Sequence, residues 1–268
     1  MADSSAWLAL IIGNTRLHWA IFEDAHLQAT WHTRHLNAHD VATLIRNYFS
    51  STAWRQITFA PVPDLDRQIA QPIELWSASV VPAQLDLWQG YAGLQRVERD
   101  RFWLKNLYAT LGIDRILALI GAGKKYGWPA LVIDAGTALT FSAGDQHRFL
   151  GGAILPGLKL QMQALAAGTA ALPDIDRWEV LPPQRWAFDT AEAMRSGVFY
   201  TQLAGIQDFL TDWWQRYPKG QAVLTGGDSP MLSVAFRKLN PEISAQLLND
   251  EDLAFWGIEV YRTYVHNF

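Results

Sequence analysis

A carboxylate beside a guanidinium, two glycine-threonine turns and one further glycine pair are the parts of this 268-residue sequence whose types and spacing can do chemistry. Asp114-Arg115 offers a general base next to a group that forks onto a carboxylate or phosphate. Asp134-Ala135-Gly136-Thr137-Ala138 combines an acid able to hold a cation, a glycine that admits a ligand to bare backbone, and a hydroxyl. Turn N–H groups in such a bend converge on a phosphate. Gly13-Asn14-Thr15 makes the same offer with an amide in place of the acid. Gly226-Gly227-Asp228 lets a flat group such as a nucleobase lie against backbone. Taken singly, each has a plainer reading: a capped helix with a surface ion pair, a hairpin, a tight turn.

Around these pieces the chain alternates between strand and helix. Trp7–Ile12 and Leu17–Phe22 are apolar runs on either side of the first turn, and Ala130–Ile133 and Ala138–Ser142 flank the second. This repeated strand–turn–strand unit predicts two similar halves facing each other across a cleft. Apolar residues at 41, 44, 45 and 48 predict a helix with Asp40 as its N-cap. Ile57–Val62 and Glu74–Val81 are predicted strands, ended by Pro63 and Pro82. Asp114 falls in the first turn of a helix beginning after Gly112, and Trp186–Leu210 is a second helix. Val223–Thr225 is a strand running into Gly226, and Glu251–Asn267 is a closing amphipathic helix broken at Gly257. Alternation of this kind predicts an α/β architecture. The expected division is a domain over 1–113 and another over 114–268, with the closing helix free to pack back on the first.

Composition narrows the function classes. Half the residues are hydrophobic, enough for a sizeable core, which excludes a disordered chain. The formal net charge of −4 gives no reason to expect a nucleic-acid or anionic-membrane partner. With no cysteine, disulfides and thiolate metal sites are excluded, and a cytoplasmic location is expected. The apolar run at Trp7–Ile12 is too short for a signal core, and no segment approaches the ~20 apolar residues that span a bilayer.

In combination, the motifs resemble the type III pantothenate kinases. The resemblance is carried by Gly13-Asn14-Thr15, Ser79-Val80-Val81-Pro82, Gly112-Ile113-Asp114-Arg115, Asp134 to Ala138, Gly151-Gly152 and Pro156-Gly157. It continues through Thr169 to Pro173, Thr190 with Ser196-Gly197, and Gly226-Gly227-Asp228, in family order. It implies two duplicated ribonuclease-H-like domains of the actin-like ATPase superfamily, a homodimer, and transfer of the ATP γ-phosphoryl to pantothenate, the first step toward coenzyme A. It further implies Asp114 as proton acceptor, and Gly112, Ile113, Asp114, Arg115, Thr190 and Tyr108 as the pantothenate contacts. Gly13, Asn14, Thr15, Arg16, Leu17 and His18, with Gly136, Thr137, Gly226 and Gly227, would contact ATP. Asp134 would bind a monovalent cation, K⁺ or NH₄⁺, and Mg²⁺ would accompany the ATP.

One position departs from that pattern. Where the family begins its first phosphate segment with aspartate, this chain has Ile11. Isoleucine neither accepts a hydrogen bond nor binds a metal, and losing an outer-shell carboxylate typically costs about 10- to 100-fold in metal affinity or activity. A second reading is therefore a relative that binds nucleotide or pantothenate in a regulatory role. Two weaker signals are set aside. Gly121 to Lys125 lacks the first glycine and the hydroxyl of a P-loop. His26, His32, His35 and His39 lack metal-site spacing, which predicts a solvated strand and loop. The thirteen tryptophans are expected mostly in the core or at a dimer interface.

Overall fold

The structure is a computed structural model that describes residues 6–58, 62–63, 72–175 and 182–267. The chain divides into two compact units. The first holds Met1–Trp103, Tyr108–Gly121 and Ala254–Phe268; the second holds Leu104–Leu107 and Ala122–Leu253.

In the first unit, β1 (Ala6–Ile12), β2 (Leu17–Glu23) and β3 (His26–Thr33) form an antiparallel meander. Two helices follow, α1 (Ala38–Arg46) and α2 (Ser51–Ile57). Then come β4 (Glu74–Ser79), α3 (Pro82–Asp86) and β5 (Leu94–Arg96), with both strands parallel to their neighbours. The sheet order is β3-β2-β1-β4-β5. Helix α4 (Ile113–Tyr126) starts in this unit.

The second unit repeats the plan. Strands β6 (Ala130–Ala135), β7 (Ala138–Gly144) and β8 (Phe149–Pro156) are a meander, followed by α5 (Leu158–Gly168) and the long α6 (Thr190–Arg216). Next are β9 (Gln221–Thr225), α7 (Ser229–Leu239), α8 (Pro241–Ser244) and β10 (Leu247–Asn249). The order β10-β9-β6-β7-β8 is the first sheet's topology strand for strand. The duplicated α/β fold expected from the repeated turns is what the chain adopts.

Tryptophans fill one core. Trp19 stacks on Trp31 at 6.2 Å between ring centroids and meets Trp54 and Trp88 edge-on at 5.0 and 5.4 Å. These four belong to one core cluster on a face of the first sheet, together with Leu8, Leu10 and Ile12. Rings of this size dominate burial, which anchors the β1–β2 hairpin.

Several boundaries differ from the sequence expectation for identifiable reasons. Helix α1 is capped by Asn37, whose side chain accepts the Asp40 N–H at 2.9 Å, so Asp40 lies inside the first turn. Ile57 closes α2 instead of opening a strand, Val62 lies in a loop, and residues 59–61 fall outside the described residues. Helix α6 begins only at Thr190, because Asp189 accepts the Glu192 N–H at 2.9 Å and ends the preceding loop. The closing helix α9 (Leu253–His266) runs unbroken through Gly257. There a Cβ would overlap the Leu117 backbone, so glycine permits close approach to α4 and does not break the helix. Glu74 fixes α9 further by accepting Arg262 Nε and Nη2 at 3.0 and 2.9 Å.

Candidate active site

In the first unit, the β1–β2 turn is closed by Gly13 N–H donating to the Arg16 carbonyl at 3.0 Å. Asn14, Thr15 and Arg16 are exposed, whereas Leu17 points into the tryptophan core and offers a ligand only backbone. His35 Nε2 donates to the Gly13 carbonyl at 2.8 Å, and His18 is half-buried beside the turn. At the neighbouring strand end, Val80 N–H donates to the Ile12 carbonyl at 3.0 Å and Ser79 Oγ accepts the Val81 N–H at 3.0 Å.

The same unit carries the start of α4. Asp114 Oδ1 accepts the backbone N–H of Arg115 at 2.8 Å, and Arg115 Nη1 donates to the Tyr108 hydroxyl at 3.1 Å. Arg115 is buried, with only 6% of its surface exposed, while Tyr108 is 44% exposed. Burial raises the Asp114 pKa, opposed by the Arg115 N–H bond and the Arg115 charge. A carboxylate above its ordinary range, at a helix N-terminus and next to a fixed guanidinium, has the properties of a general base. Tyr108, Gly112, Asp114 and Arg115 are thus brought together.

In the second unit, three segments meet at the end of β6. The Gly136 N–H donates to the Ala138 carbonyl at 3.1 Å, closing the β6–β7 turn. Gly157 N–H donates to the Thr137 carbonyl at 2.9 Å, and Asp228 N–H to the Ala135 carbonyl at 2.8 Å. Gly226 has φ of +90°, and a Cβ there would overlap the Asp134 carboxylate and the Ala135 carbonyl. Asp134, Gly136, Thr137 and Gly226 therefore form one constellation, with Gly227 exposed beside them. Burial raises the pKa of Asp228. Thr190 is exposed at the first position of α6.

The chemistry of the donors differs between the two turns. Around Asp134 a carboxylate and backbone carbonyl lie together, and hard oxygen donors of this kind fit a monovalent or hard divalent cation. The first turn has no carboxylate, since Ile11 stands opposite His18 and beside Ala78. Among the described residues no group of three His, Cys, Asp or Glu side chains converges as a metal site. His32 and His35, which sequence spacing assigned to a solvated segment, border the first turn: His35 bonds Gly13 and His32 packs on His18 at 4.7 Å. Their spacing in sequence carries no signal of this; the β2–β3 register creates it.

The duplicated sheets, with the same strand order and a glycine turn in each, define the class: a duplicated α/β fold of the ribonuclease-H-like, actin-like kind. Among solved structures, the fold is similar to a Campylobacter jejuni protein described as a Baf family transcriptional activator. That match has a TM-score of 0.60 and 19% identity over 97% of this chain and all of the other. The ethanolamine utilization protein EutJ of Carboxydothermus hydrogenoformans gives a TM-score of 0.51 at 9% identity over 96% of this chain and 90% of that one. Likenesses at this identity concern fold alone.

The family follows from sequence. The family model for type III pantothenate kinase matches residues 7–212. The type III pantothenate kinase of Nostoc sp. is 42% identical over 261 residues, covering 94% of this chain and 93% of that protein. That of Synechococcus sp. strain JA-2-3B'a(2-13) is 41% identical, covering 97% and 92%. The chain belongs to the type III pantothenate kinase family, enzymes that phosphorylate pantothenate at the expense of ATP.

Proposed function

We propose that Asp114 is the proton acceptor of this kinase reaction and that the two glycine-threonine turns hold the nucleotide. The pantothenate hydroxyl oxygen attacks the γ-phosphorus, the bond to ADP breaks, and the hydroxyl proton passes to Asp114. The observation that carries this reading is the start of α4: a half-buried acid of raised pKa, with Arg115 held at its side by Tyr108. Arg115 binds the carboxylate end of pantothenate, and Gly112, Ile113, Tyr108 and Thr190 complete its contacts. Gly13 to His18, Gly136, Thr137, Gly226 and Gly227 take the ATP. Phosphoryl transfer asks mainly for positioning and charge neutralisation. Mg²⁺ travelling with the nucleotide, and K⁺ or NH₄⁺ at Asp134, would offset the triphosphate charge.

The working form is a homodimer in the cytosol, each chain having a first domain over residues 1–113 and a second over 114–268, with the closing helix packed back on the first. The second unit supports the dimer. It carries an apolar groove lined by Leu139, Phe141, Leu155, Pro156 and Phe209, with Ile154, Leu155, Leu160 and Phe209 exposed. A second copy covering this face accounts for exposed apolar surface that a monomer would leave in water. Among the described residues, no helix is long and apolar enough to cross a membrane, and we assign neither membrane nor nucleic acid as a partner.

The purified chain tests this reading when given ATP, Mg²⁺ and pantothenate, with product followed by mass. Phosphopantothenate should form when K⁺ or NH₄⁺ is present and fall when Na⁺ replaces it. Lack of product with either cation would favour the regulatory reading that Ile11 raises.

A further inference from the structure

The side chains around Ile11 indicate how the first turn manages without its acid. Ile11 on β1 pairs with His18 on β2, His18 pairs with His32 on β3, and Ala78 on β4 lies on the other side of Ile11. Directly paired residues of adjacent strands project on one face, so two imidazoles, an isoleucine and an alanine form a row across the sheet. The opposite face is the tryptophan core. His18 packs against the His32 ring edge-on at 4.7 Å, which limits its rotation. Its Nε2 lies 3.7 Å from the place where a Cβ on Gly13 would stand, so the imidazole borders the bare backbone of the turn. His35 holds the Gly13 carbonyl from elsewhere, at 2.8 Å.

We propose that this first turn binds a nucleotide phosphate directly, with an imidazole N–H of His18 as donor, and not through a divalent ion held by a carboxylate. The inference rests on the assignment of this turn to ATP. A carboxylate in the Ile11 position would repel a phosphate oxygen unless a cation lay between them. Isoleucine removes the repulsion and the ligand together. An imidazole is a poor partner for Mg²⁺, which demands hard oxygen ligands, but a good donor to a phosphate oxygen. Burial first, then His32 and Arg16, lower the His18 pKa to about 4, so the ring is neutral at pH 7 and keeps one N–H to donate. The sheet register thus supplies a hydrogen-bond donor one strand away from the missing acid.

The test is ADP binding by calorimetry to the full chain, with excess Mg²⁺ and again with EDTA. His18→Phe, which keeps a flat ring but no donor, should weaken ADP by about 10- to 100-fold, the range for a hydrogen bond to a charged group. The loss should be equal within about 3-fold in the two buffers, and His18→Gln should restore most of it. Unchanged affinity for His18→Phe, or a loss seen only with Mg²⁺, overturns the proposal. Wild-type protein that binds no ADP in either buffer refutes the nucleotide assignment beneath it. Should His18→Phe not fold, the histidine ¹⁵N spectrum of the wild type decides: the His18 ring resonances move on adding ADP in EDTA, or the proposal fails.

Discussion

Arg115 Nη1 donates to the Tyr108 hydroxyl at 3.1 Å, which fixes a buried guanidinium beside the acid that precedes it in sequence. That bond is one of the contacts that hold the guanidinium at the α4 terminus. Tyr108→Phe should therefore raise the KM for pantothenate by about 10-fold, within the range for losing a hydrogen bond to a charged group, with a smaller change in kcat. Steady-state kinetics at varied pantothenate check the split. An equal fall in kcat at unchanged KM would mean that Tyr108 acts in the chemical step.

Asp114 gives two linked expectations. Its pKa is raised in the folded chain, chiefly by burial. Between the unfolded and folded values the folded state holds more protons, so this group stabilises the fold as pH falls and costs stability above that window. Asp114→Asn should accordingly have a higher Tm than wild type at pH 7, and the advantage should shrink as pH falls through the folded pKa. In wild type, proton acceptance needs the ionised form, so the acid limb of kcat should lie above the ordinary carboxylate range. Thermal melts and a pH–rate profile read these out.

Gly226 and Gly227 should respond differently to alanine. At Gly226, φ of +90° costs an L-residue about 1–2 kcal/mol, and the new Cβ would overlap Asp134 and Ala135. At Gly227 nothing stands within 4 Å of such a Cβ. Gly226→Ala should lower Tm by several degrees and weaken ATP, while Gly227→Ala keeps Tm near wild type. Equal melting of both variants would remove the case for close packing at the β6 end.

The exposed apolar face of the second unit makes a prediction about assembly. Leu155 is 39% exposed, and Phe209, 38% exposed, stacks on Phe141 at 4.0 Å between centroids. Leu155→Glu should shift the mass measured by light scattering from two chains to one. A wild-type chain that elutes as a monomer at micromolar concentration contradicts the dimer.

Much of the fold was legible in the chain because turns and short apolar runs are local signals. Gly13-Asn14-Thr15 and Asp134 to Ala138 mark both hairpins, and from them the duplication follows. The strands not legible in the sequence, β5, β8 and β10, are short or poorly patterned: β5 and β10 span three residues each, and β8 carries Gly151 and Gly152. Helix starts were misplaced where two capping residues compete, as at Asn37 and Asp40. Gly257 reads as a breaker in sequence because its packing against Leu117 joins residues 140 positions apart. The first turn's histidines were opaque for the same reason. His18, His32 and His35 mean nothing by spacing, and only strand register and the fold around Gly13 give them a role.

The most direct measurement is the turnover of Asp114→Asn beside its affinity for ATP. If Asp114 takes the hydroxyl proton, kcat should fall by about 10²- to 10⁴-fold, as for loss of a general base, while ATP binds as in wild type. Turnover within a few-fold of wild type, in a folded variant that binds ATP normally, would contradict the role assigned to this acid.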